Sequence, residues 1–504
     1  MKKMKKRFIT ILLSAVMVFS LTACAGKGNK EANAPATPAP TKEPEATAAP
    51  TPEAEPAYDF GGITLRIGYF NDQGYPNPDA DAMSEAYYNR IKFVEENYNC
   101  KIEYVDCTGS YYDKYVTSVL AGEPIVDIGY MMTYHVPALA EGGIIQPLNN
   151  YSSYDMNDFI WRPDVTEAGF YAGNYYTTLR KNYEVRYGVF WNKTLFEKYN
   201  LPNLYELVDS GEWTWDKFKE IAIAGNVDSN NDGTIDIYGF NARESLEWNY
   251  LYSNEANVVT KTDSGMTIDL SDPKVIEALT AYHDFCTTVK FRNAIDWSTE
   301  SWDSFIKGFR DGQYMMCLEE SWISGSYLEV ADGGMVDEWG WVPFPKGKSA
   351  GDYACYGKEF GVYGMLNGIE NAEEKAQIYN LINQIVETEE ELNDLVDAQL
   401  ENWARDAESV KNAAYILNKG VSVVNPINGF SDVRDVMNTL FSEITSGAST
   451  PQTAIETYQS QIDTAIADIA THDYDADMKA IVDKVAEEEA AAAEEEKDKD
   501  KTAE

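Results

Sequence analysis

A pair of carboxylates followed closely by an indole ring is the first feature of the sequence that could do chemistry. Glu319 and Glu320 end a predicted strand over residues 314–318, and Trp322 lies two residues beyond them. Two carboxylates can act as acid and nucleophile in glycoside hydrolysis, whereas a Trp face can stack on a pyranose without any reaction. The chain contains 83 acidic residues, so the pair alone has little diagnostic value. Hydrolysis and simple sugar binding both stay open at this point.

An acidic loop over residues 228–238 has the spacing of a calcium-binding loop. The predicted ligands, which are oxygen donors at alternate positions, are Asp228, Asn230, Asp232, the carbonyl of Thr234 and Asp236. Position twelve is Gly239 and not Glu, so a bidentate carboxylate would have to come from elsewhere, for example from Glu244. We expect a structural Ca²⁺ ion here, with a metal-free Asx-rich turn as the alternative.

The first 24 residues predict the compartment. Basic residues between positions 2 and 7 precede a short apolar run over residues 8–19, and residues 21–24, which end in Cys24, look like a lipobox. The apolar run is too short to span a bilayer comfortably, so residues 1–23 are predicted to be a lipoprotein signal peptide. Lipidation of Cys24 would anchor the protein to the extracellular face of the cell membrane. An ordinary secreted protein with a chance Cys is the alternative.

Two segments that cannot form a core bound the folded part. Residues 24–58 are rich in Ala, Pro and Thr, and we expect a disordered tether there. Residues 486–504 are predicted to be an acidic disordered tail, with a solvated helix as the alternative.

Strands alternate with helices in the first part of the folded chain, which predicts an α/β fold with a parallel sheet. Predicted strands cover residues 63–70, 101–106 and 125–131. Ligands of open α/β sheets bind at the carboxyl ends of the strands. Asn71 and Asp72 follow the first strand, and Tyr134 and His135 follow the third. A structural hydrogen bond and a ligand contact are equally supported for His135, whereas Tyr134 can stack on a sugar.

Three stretches share an order of elements that is more specific than composition. In the first, a strand over residues 183–191 leads through Asn-Lys to a short helix, Leu-Pro, Trp-Thr-Trp and a second helix. Thr194 and Thr214 are the expected N-caps of these helices. The second is VDIGY (126–130), followed by a helix ending in Gly-Gly and then by Pro-Leu. The third is SWDSFIKGFRDGQYMMCLEESW, which ends at Trp322.

Together these stretches resemble the family 1 extracellular solute-binding proteins, the carbohydrate-binding subunits of bacterial uptake transporters. The resemblance implies a type II periplasmic-binding-protein-like fold, with two α/β lobes joined by a hinge and a ligand cleft between them. Residues 59–182 would form the first part of lobe 1 and residues 183–352 lobe 2. Residues 353–485 would return to lobe 1 and add C-terminal helices across both lobes. The implied partners are a carbohydrate and the permease subunits of an ABC transporter. A monomer without a required cofactor is expected.

The same resemblance assigns ligand contacts. Trp322 is the best single candidate, because a Trp just beyond this strand stacks on the sugar in the family. The further ligand-binding candidates are Tyr134, His135, Asn71, Asp72, Trp248, Glu184, Tyr187, Glu320 and Tyr356.

Composition narrows the remaining function classes. The net charge of −42 argues against a general nucleic-acid binder and against charge-driven docking to anionic membranes. Five cysteines besides Cys24 cannot all pair within one chain, and we expect mostly buried free thiols. The sequence has no nucleophile elbow, P-loop or zinc helix. A glycoside hydrolase, a surface adhesin or sensor, and a binding protein for a non-sugar solute such as a peptide are the alternatives.

Overall fold

The computed structural model describes residues 58–71, 74–262, 265–331, 333–419, 422–423 and 426–503. The predicted signal peptide, Cys24, the tether up to residue 57 and Asp72 lie outside these ranges. Among the helices within them, none combines the length and the apolarity that a bilayer span requires.

The strands of the described residues are short and are numbered in chain order. They are β1 (Ile63–Tyr69), β2 (Cys100–Asp106), β3 (Ile128–Met132), β4 (Ile145–Gln146), β5 (Phe170–Tyr171), β6 (Asn174–Tyr175), β7 (Thr177–Thr178), β8 (Tyr187–Asn192), β9 (Asn241–Ala242), β10 (Val259–Thr262), β11 (Gly265–Ile268), β12 (Met316–Glu320), β13 (Trp339–Val342), β14 (Cys355–Tyr356), β15 (Gly361–Leu366) and β16 (Ser422–Val423).

The helices are numbered in the same way. They are α1 (Ala82–Tyr98), α2 (Tyr111–Leu120), α3 (Val136–Glu141), α4 (Pro163–Ala168), α5 (Lys193–Lys198), α6 (Leu204–Ser210), α7 (Trp215–Ala224), α8 (Leu246–Tyr252), α9 (Pro273–Thr288), α10 (Ser304–Arg310), α11 (Ala372–Asn383), α12 (Glu389–Trp403), α13 (Ala407–Lys419), α14 (Ser431–Ser446), α15 (Pro451–Ile469) and α16 (Tyr474–Ala503).

The first sheet has the order β2-β1-β3-β15-β4, with β7 beside β15. Strand β1 is parallel to both β2 and β3, as the alternation of strands and helices predicts, and the late strand β15 is antiparallel to β3. Apolar residues such as Leu65, Ile67 and Ile128 point into its buried core. We call this sheet, with the helices packed on it, lobe 1.

The second sheet has the order β13-β8-β12-β9 and forms lobe 2. Strand β8 lies at its centre, antiparallel to β12 and β13, and each of its residues is buried. Burial on both faces explains the run of aromatic and β-branched residues in its sequence. The two sheets with their flanking helices confirm the predicted fold of two α/β lobes.

The chain passes between the sheets along two segments, residues 179–186 and 343–360. The first segment was predicted to be part of a strand from residue 183, but β8 begins only at Tyr187. Arg186 adopts φ +59°, the left-handed conformation, which cannot continue a strand. The crossing is therefore a sharp bend.

The C-terminal helices lie against both lobes: α14 packs on α9 and α15, α12 packs on α1, and α16 packs on α2. For residues 486–503 the structure has the helical alternative and not the disordered tail, because α16 continues to Ala503. Ala and Glu dominate this part of the sequence, and both favour helix. Met478 is buried against lobe 1 and fixes the start of the helix.

Candidate functional site

A cavity of about 540 Å³ lies where the two lobes face each other. Lobe 1 contributes Tyr130 and Tyr363, the first crossing segment contributes Glu184, and lobe 2 contributes Glu320 and Trp322. A volume of this size suits a small organic ligand. Because the walls come from both lobes, a bound molecule would hold the lobes together.

Trp322 is half-buried at the carboxyl end of β12 and forms one wall of this cavity. Its Nε1 donates a hydrogen bond to Oε2 of Glu320 at 2.5 Å, which fixes the orientation of the indole. Two further aromatic rings pack beside the indole: the ring centroid of Trp302 lies 6.2 Å from that of Trp322, and the ring centroid of Tyr327 lies 6.0 Å from it. Trp322 and Glu320, both predicted to be ligand contacts, thus lie side by side in the cavity wall.

Helix α12 holds the turn that carries Trp322. The Nε1 of Trp403 donates to the carbonyl of Ser321 at 2.7 Å, and the hydroxyl of Ser324 donates to the carbonyl of Trp403 at 2.5 Å. Trp403 is itself buried and packs within the core of lobe 2. The position of the indole in the cavity thus depends on a helix about 80 residues further along the chain.

Arg186 links the crossing segment to lobe 2. Its guanidinium lies 3.1 Å from Glu320 and 4.0 Å from Glu184, and it is buried. It also packs on the Phe360 ring at 4.9 Å, and Arg162 packs on the same ring at 4.5 Å. Phe360 belongs to the second crossing segment and Arg186 to the first, so this cation–π contact joins the two crossing segments.

A second cavity, of about 510 Å³, shares Glu359 with the first. Three of the predicted ligand contacts, Tyr134, Trp248 and Tyr356, line this second cavity. Trp248 and Tyr356 are only 6% and 1% exposed, because their rings stack at 6.1 Å within the core. Of these three candidates, Tyr134 offers the most open ring.

Charged groups on the floor of the second cavity form a compact network. Lys358 lies 3.2 Å from Glu244 and 3.5 Å from Glu359. Burial alone would raise the pKa of Glu244, but the charges of Lys358 and Arg243 lower it below its ordinary value. Burial raises the pKa of Glu359 and raises the pKa of Glu247 to about 7. Only Glu244 of these carboxyls is held firmly in its ionised form.

Three predicted ligand contacts line neither cavity. Tyr187 is fully buried, and its hydroxyl donates to Oε1 of Glu244 at 3.3 Å. His135 is hydrogen-bonded through Nδ1 to the hydroxyl of Tyr111 at 2.8 Å. Burial lowers the pKa of His135 to about 4, which keeps the ring neutral and matches the structural alternative. Asn71 is exposed, and its backbone N–H donates to Thr108 at 2.9 Å.

Several cavity residues were missed by the sequence analysis. They come from the first crossing segment and from helices outside the motifs, and they include Arg180, Arg186, Tyr87, Asn383, Gln399 and Arg434. Arg186 could have been found, because it lies in the motif over residues 183–191. The helical residues could not have been found, because only packing brings their helices to the cleft.

The predicted calcium loop is tied together by its own amides. Asp228 accepts from the N–H groups of Asp232 and Gly233 at 3.2 and 2.8 Å, and Asp236 accepts from Ser229 at 2.7 Å. In the part of the chain that the structure describes, no group of three His, Cys, Asp or Glu side chains is placed to hold a metal. This geometry is that of the Asx-rich turn, and calcium binding stays a prediction.

Solved structures with this fold are similar over nearly their whole length. An ABC substrate-binding protein from Listeria monocytogenes, solved with cycloalternan, is 16% identical, with 81% of this chain and 99% of that chain covered and a TM-score of 0.53. A cyclo/maltodextrin-binding protein complexed with maltotetraose is 15% identical, with 82% and 99% covered and a TM-score of 0.57. A cyclic α-maltosyl-1,6-maltose binding protein from Arthrobacter globiformis is 16% identical, with 81% and 99% covered and a TM-score of 0.56.

At these identities the likeness establishes the fold. No curated protein sequence matches the chain. The family model described as "Bacterial extracellular solute-binding protein" matches residues 73–383, which include the whole second sheet and every strand of the first sheet except β1. The chain therefore belongs to the family of bacterial extracellular solute-binding proteins.

Proposed function

We propose that this protein is the substrate-binding subunit of an ABC importer and that it captures a sugar or oligosaccharide in the cleft between its lobes. The observation that carries the proposal is Trp322, an indole held at the wall of an interlobe cavity of about 540 Å³. An indole face can stack on the apolar C–H face of a pyranose. Glu320 beside it can accept hydrogen bonds from sugar hydroxyls.

Capture follows from the placement of these groups. Trp322 and Glu320 belong to lobe 2, Tyr130 and Tyr363 to lobe 1, and Glu184 to the crossing segment. A sugar that bonds to all three parts stabilises the closed arrangement over any open one, because it makes its full set of contacts only there. Release requires that the lobes separate, and no covalent step or cofactor takes part.

Carbohydrates bound to proteins of the same fold agree with this proposal. Cycloalternan and maltotetraose occupy two of the similar structures. Those ligands belong to those proteins, and their sequences are only 15–16% identical to this chain. They support a saccharide as the ligand class here without identifying it.

Glycoside hydrolysis fits the carboxylates less well. Glu319 and Glu320 are consecutive residues of β12, so their side chains point to opposite faces of the sheet. Glu320 lines the first cavity, while Glu319 is buried behind it, with Oε1 accepting from Arg243 at 3.4 Å. The two carboxylates do not face one scissile bond. We therefore propose a binding protein that releases its ligand unaltered.

The cellular setting of the proposal comes from the sequence. Lipidation of Cys24 would hold the protein at the outer face of the cell membrane, with residues 24–58 as a tether. A tether of this kind keeps the binding domain within reach of permease subunits. We propose a monomer that passes its ligand to such a permease.

A ligand screen tests the proposal. Thermal shift with sugars, oligosaccharides, amino acids, peptides and polyamines should raise the Tm only for saccharides, since bound ligand stabilises the folded state by mass action. Calorimetry then gives the affinity, and chromatography of the recovered ligand should show it unchanged. If only peptides raise the Tm, the ligand is a peptide and not a saccharide. If the recovered saccharide is cleaved, the protein is a hydrolase and not a binding protein.

A further inference from the structure

The charged residues that line the first cavity are paired, with one exception. Glu184 and Glu320 lie 4.0 and 3.1 Å from Arg186. Glu359 lies 3.5 Å from Lys358, and Lys181 lies 2.6 Å from Glu389. Arg180 lines the same cavity, and no carboxylate among the described residues forms an ion pair with it. One positive charge in the cavity therefore lacks a counter-charge from the described chain.

The neighbours of Arg180 are neutral. Its Nη1 donates to Oδ1 of Asn383 at 3.0 Å, and its guanidinium packs on the ring of Tyr87 at 4.2 Å. Burial raises the pKa values of Tyr87, Tyr363 and Tyr379, so these phenols stay protonated. None of them can serve as an anion. The Nε of Arg180 is buried and has no hydrogen-bond partner among the described residues.

The Arg180 side chain is partly exposed to the cavity, but its Nε is buried without a partner among the described residues. Proteins normally pair a cation that is partly withdrawn from water with a carboxylate or another acceptor. The chain has 83 acidic residues and 41 basic ones, so carboxylates are abundant. The missing partner therefore points to a ligand group and not to a shortage of acids. A guanidinium fork matches a planar carboxylate through parallel hydrogen bonds.

Resting on the proposed function, we infer that the saccharide taken by this cleft carries a uronic acid, whose carboxylate binds Arg180. A single uncompensated charge calls for a single negative charge on the ligand. A phosphate monoester carries more than one negative charge near neutral pH, which would be repelled by Glu184, Glu320 and Glu359. A carboxylate adds one charge and leaves the neighbouring pairs intact. The sugar ring itself stacks on Trp322, as in the proposed function.

Matched ligands test the inference on the unmodified protein. Calorimetry would compare trigalacturonate, a glucuronate-bearing xylotriose and a mannuronate trimer with their carboxyl-reduced, neutral counterparts. At least one acidic saccharide should bind about tenfold or more tightly than its reduced form, because a charge-assisted hydrogen bond is lost on reduction. A sulfated oligosaccharide serves as a further arm: tighter binding of sulfate than of uronate would overturn the assignment of a carboxylate.

Substitution of the guanidinium localises the effect. Arg180→Gln should abolish the preference for the acidic ligand, with the neutral counterpart bound as before, and Arg180→Lys should restore part of it. Arg90→Gln is the matched control, because it removes the same charge from α1 outside the cavity lining; it should keep the preference. An equal preference in wild type and Arg180→Gln would overturn the inference.

The outcomes separate the two proposals. Neutral and acidic saccharides bound equally by wild type would overturn the uronate inference and leave sugar capture intact. Failure of every saccharide, acidic or neutral, to bind would overturn the proposed function itself. Because the comparison of ligands uses wild-type protein, the result does not depend on whether the Arg180 variants fold.

Discussion

Replacing Trp322 by Ala removes the ring on which the proposed sugar stacks. The indole is held at the cavity wall by Glu320, at 2.5 Å, and by the rings of Trp302 and Tyr327. Truncation of a central aromatic contact costs about 2 kcal/mol or more of binding free energy. This corresponds to a rise of about 30-fold in Kd. Calorimetry with the best ligand of the screen measures the change.

A graded series separates the contributions of the ring and its N–H group. Trp322→Phe keeps an aromatic face but loses the hydrogen bond to Glu320 and part of the stacking area, so we expect a rise in Kd of about fivefold, below that of the Ala variant. Trp297→Ala is the control, because this Trp is 72% exposed and lines neither described cavity.

The aromatic contacts of Trp322 also stabilise the fold, so the free energy of unfolding of each variant has to be measured as well. Titrations belong well below the Tm of the least stable variant. An unchanged Kd for a folded Trp322→Ala protein would refute the reasoning and remove the indole from the site.

Three further predictions follow from the network around the cleft. Burial raises the pKa of Glu319 to about 7, so this carboxyl binds a proton more tightly in the folded protein than in the unfolded chain. The free energy of unfolding should therefore fall as pH rises from about 4.5 to about 7. Glu319→Gln should flatten this part of the Tm–pH profile. Phe360→Ala removes the ring between Arg162 and Arg186 and should lower the free energy of unfolding by about 3–5 kcal/mol in urea titrations; a loss below about 1 kcal/mol would contradict the role of this ring. Chelation with EGTA should leave saccharide affinity unchanged, because no residue of the 228–236 loop lines either cavity; weaker binding after chelation would connect the loop to the site.

The fold could be predicted where the sequence encodes it locally. Strand β8 was predictable from its run of β-branched and aromatic residues, and Thr214 caps α7 as expected, accepting from Lys217 at 3.5 Å. The cap of α5 lies two residues earlier than expected: Asn192, and not Thr194, accepts from the backbone N–H of Leu195 at 2.9 Å. Asn and Thr both suit this position, so only the backbone geometry decides between them.

The cleft was harder to predict than the fold, because its chemistry depends on contacts between distant segments. Trp322 and Glu320 could be found because they end a recognisable strand. Tyr187 and Trp248 look equally suitable in the sequence, yet packing buries both. Arg180 has no local feature that marks it as unusual. Its distinction is the absence of a carboxylate partner among the described residues, which only the assembled cavity reveals.

The half-buried Trp322 and its exposed neighbour Trp302 give the cleft an optical probe of its own. Of the eleven tryptophans, Trp161, Trp213, Trp339 and Trp341 are sealed in the interior and contribute a steady fluorescence background. A ligand that displaces water from the indoles of Trp322 and Trp302 changes the polarity around them and therefore shifts their fluorescence emission. Occupancy can be followed in real time without a dye, on the native chain, at concentrations too low for calorimetry.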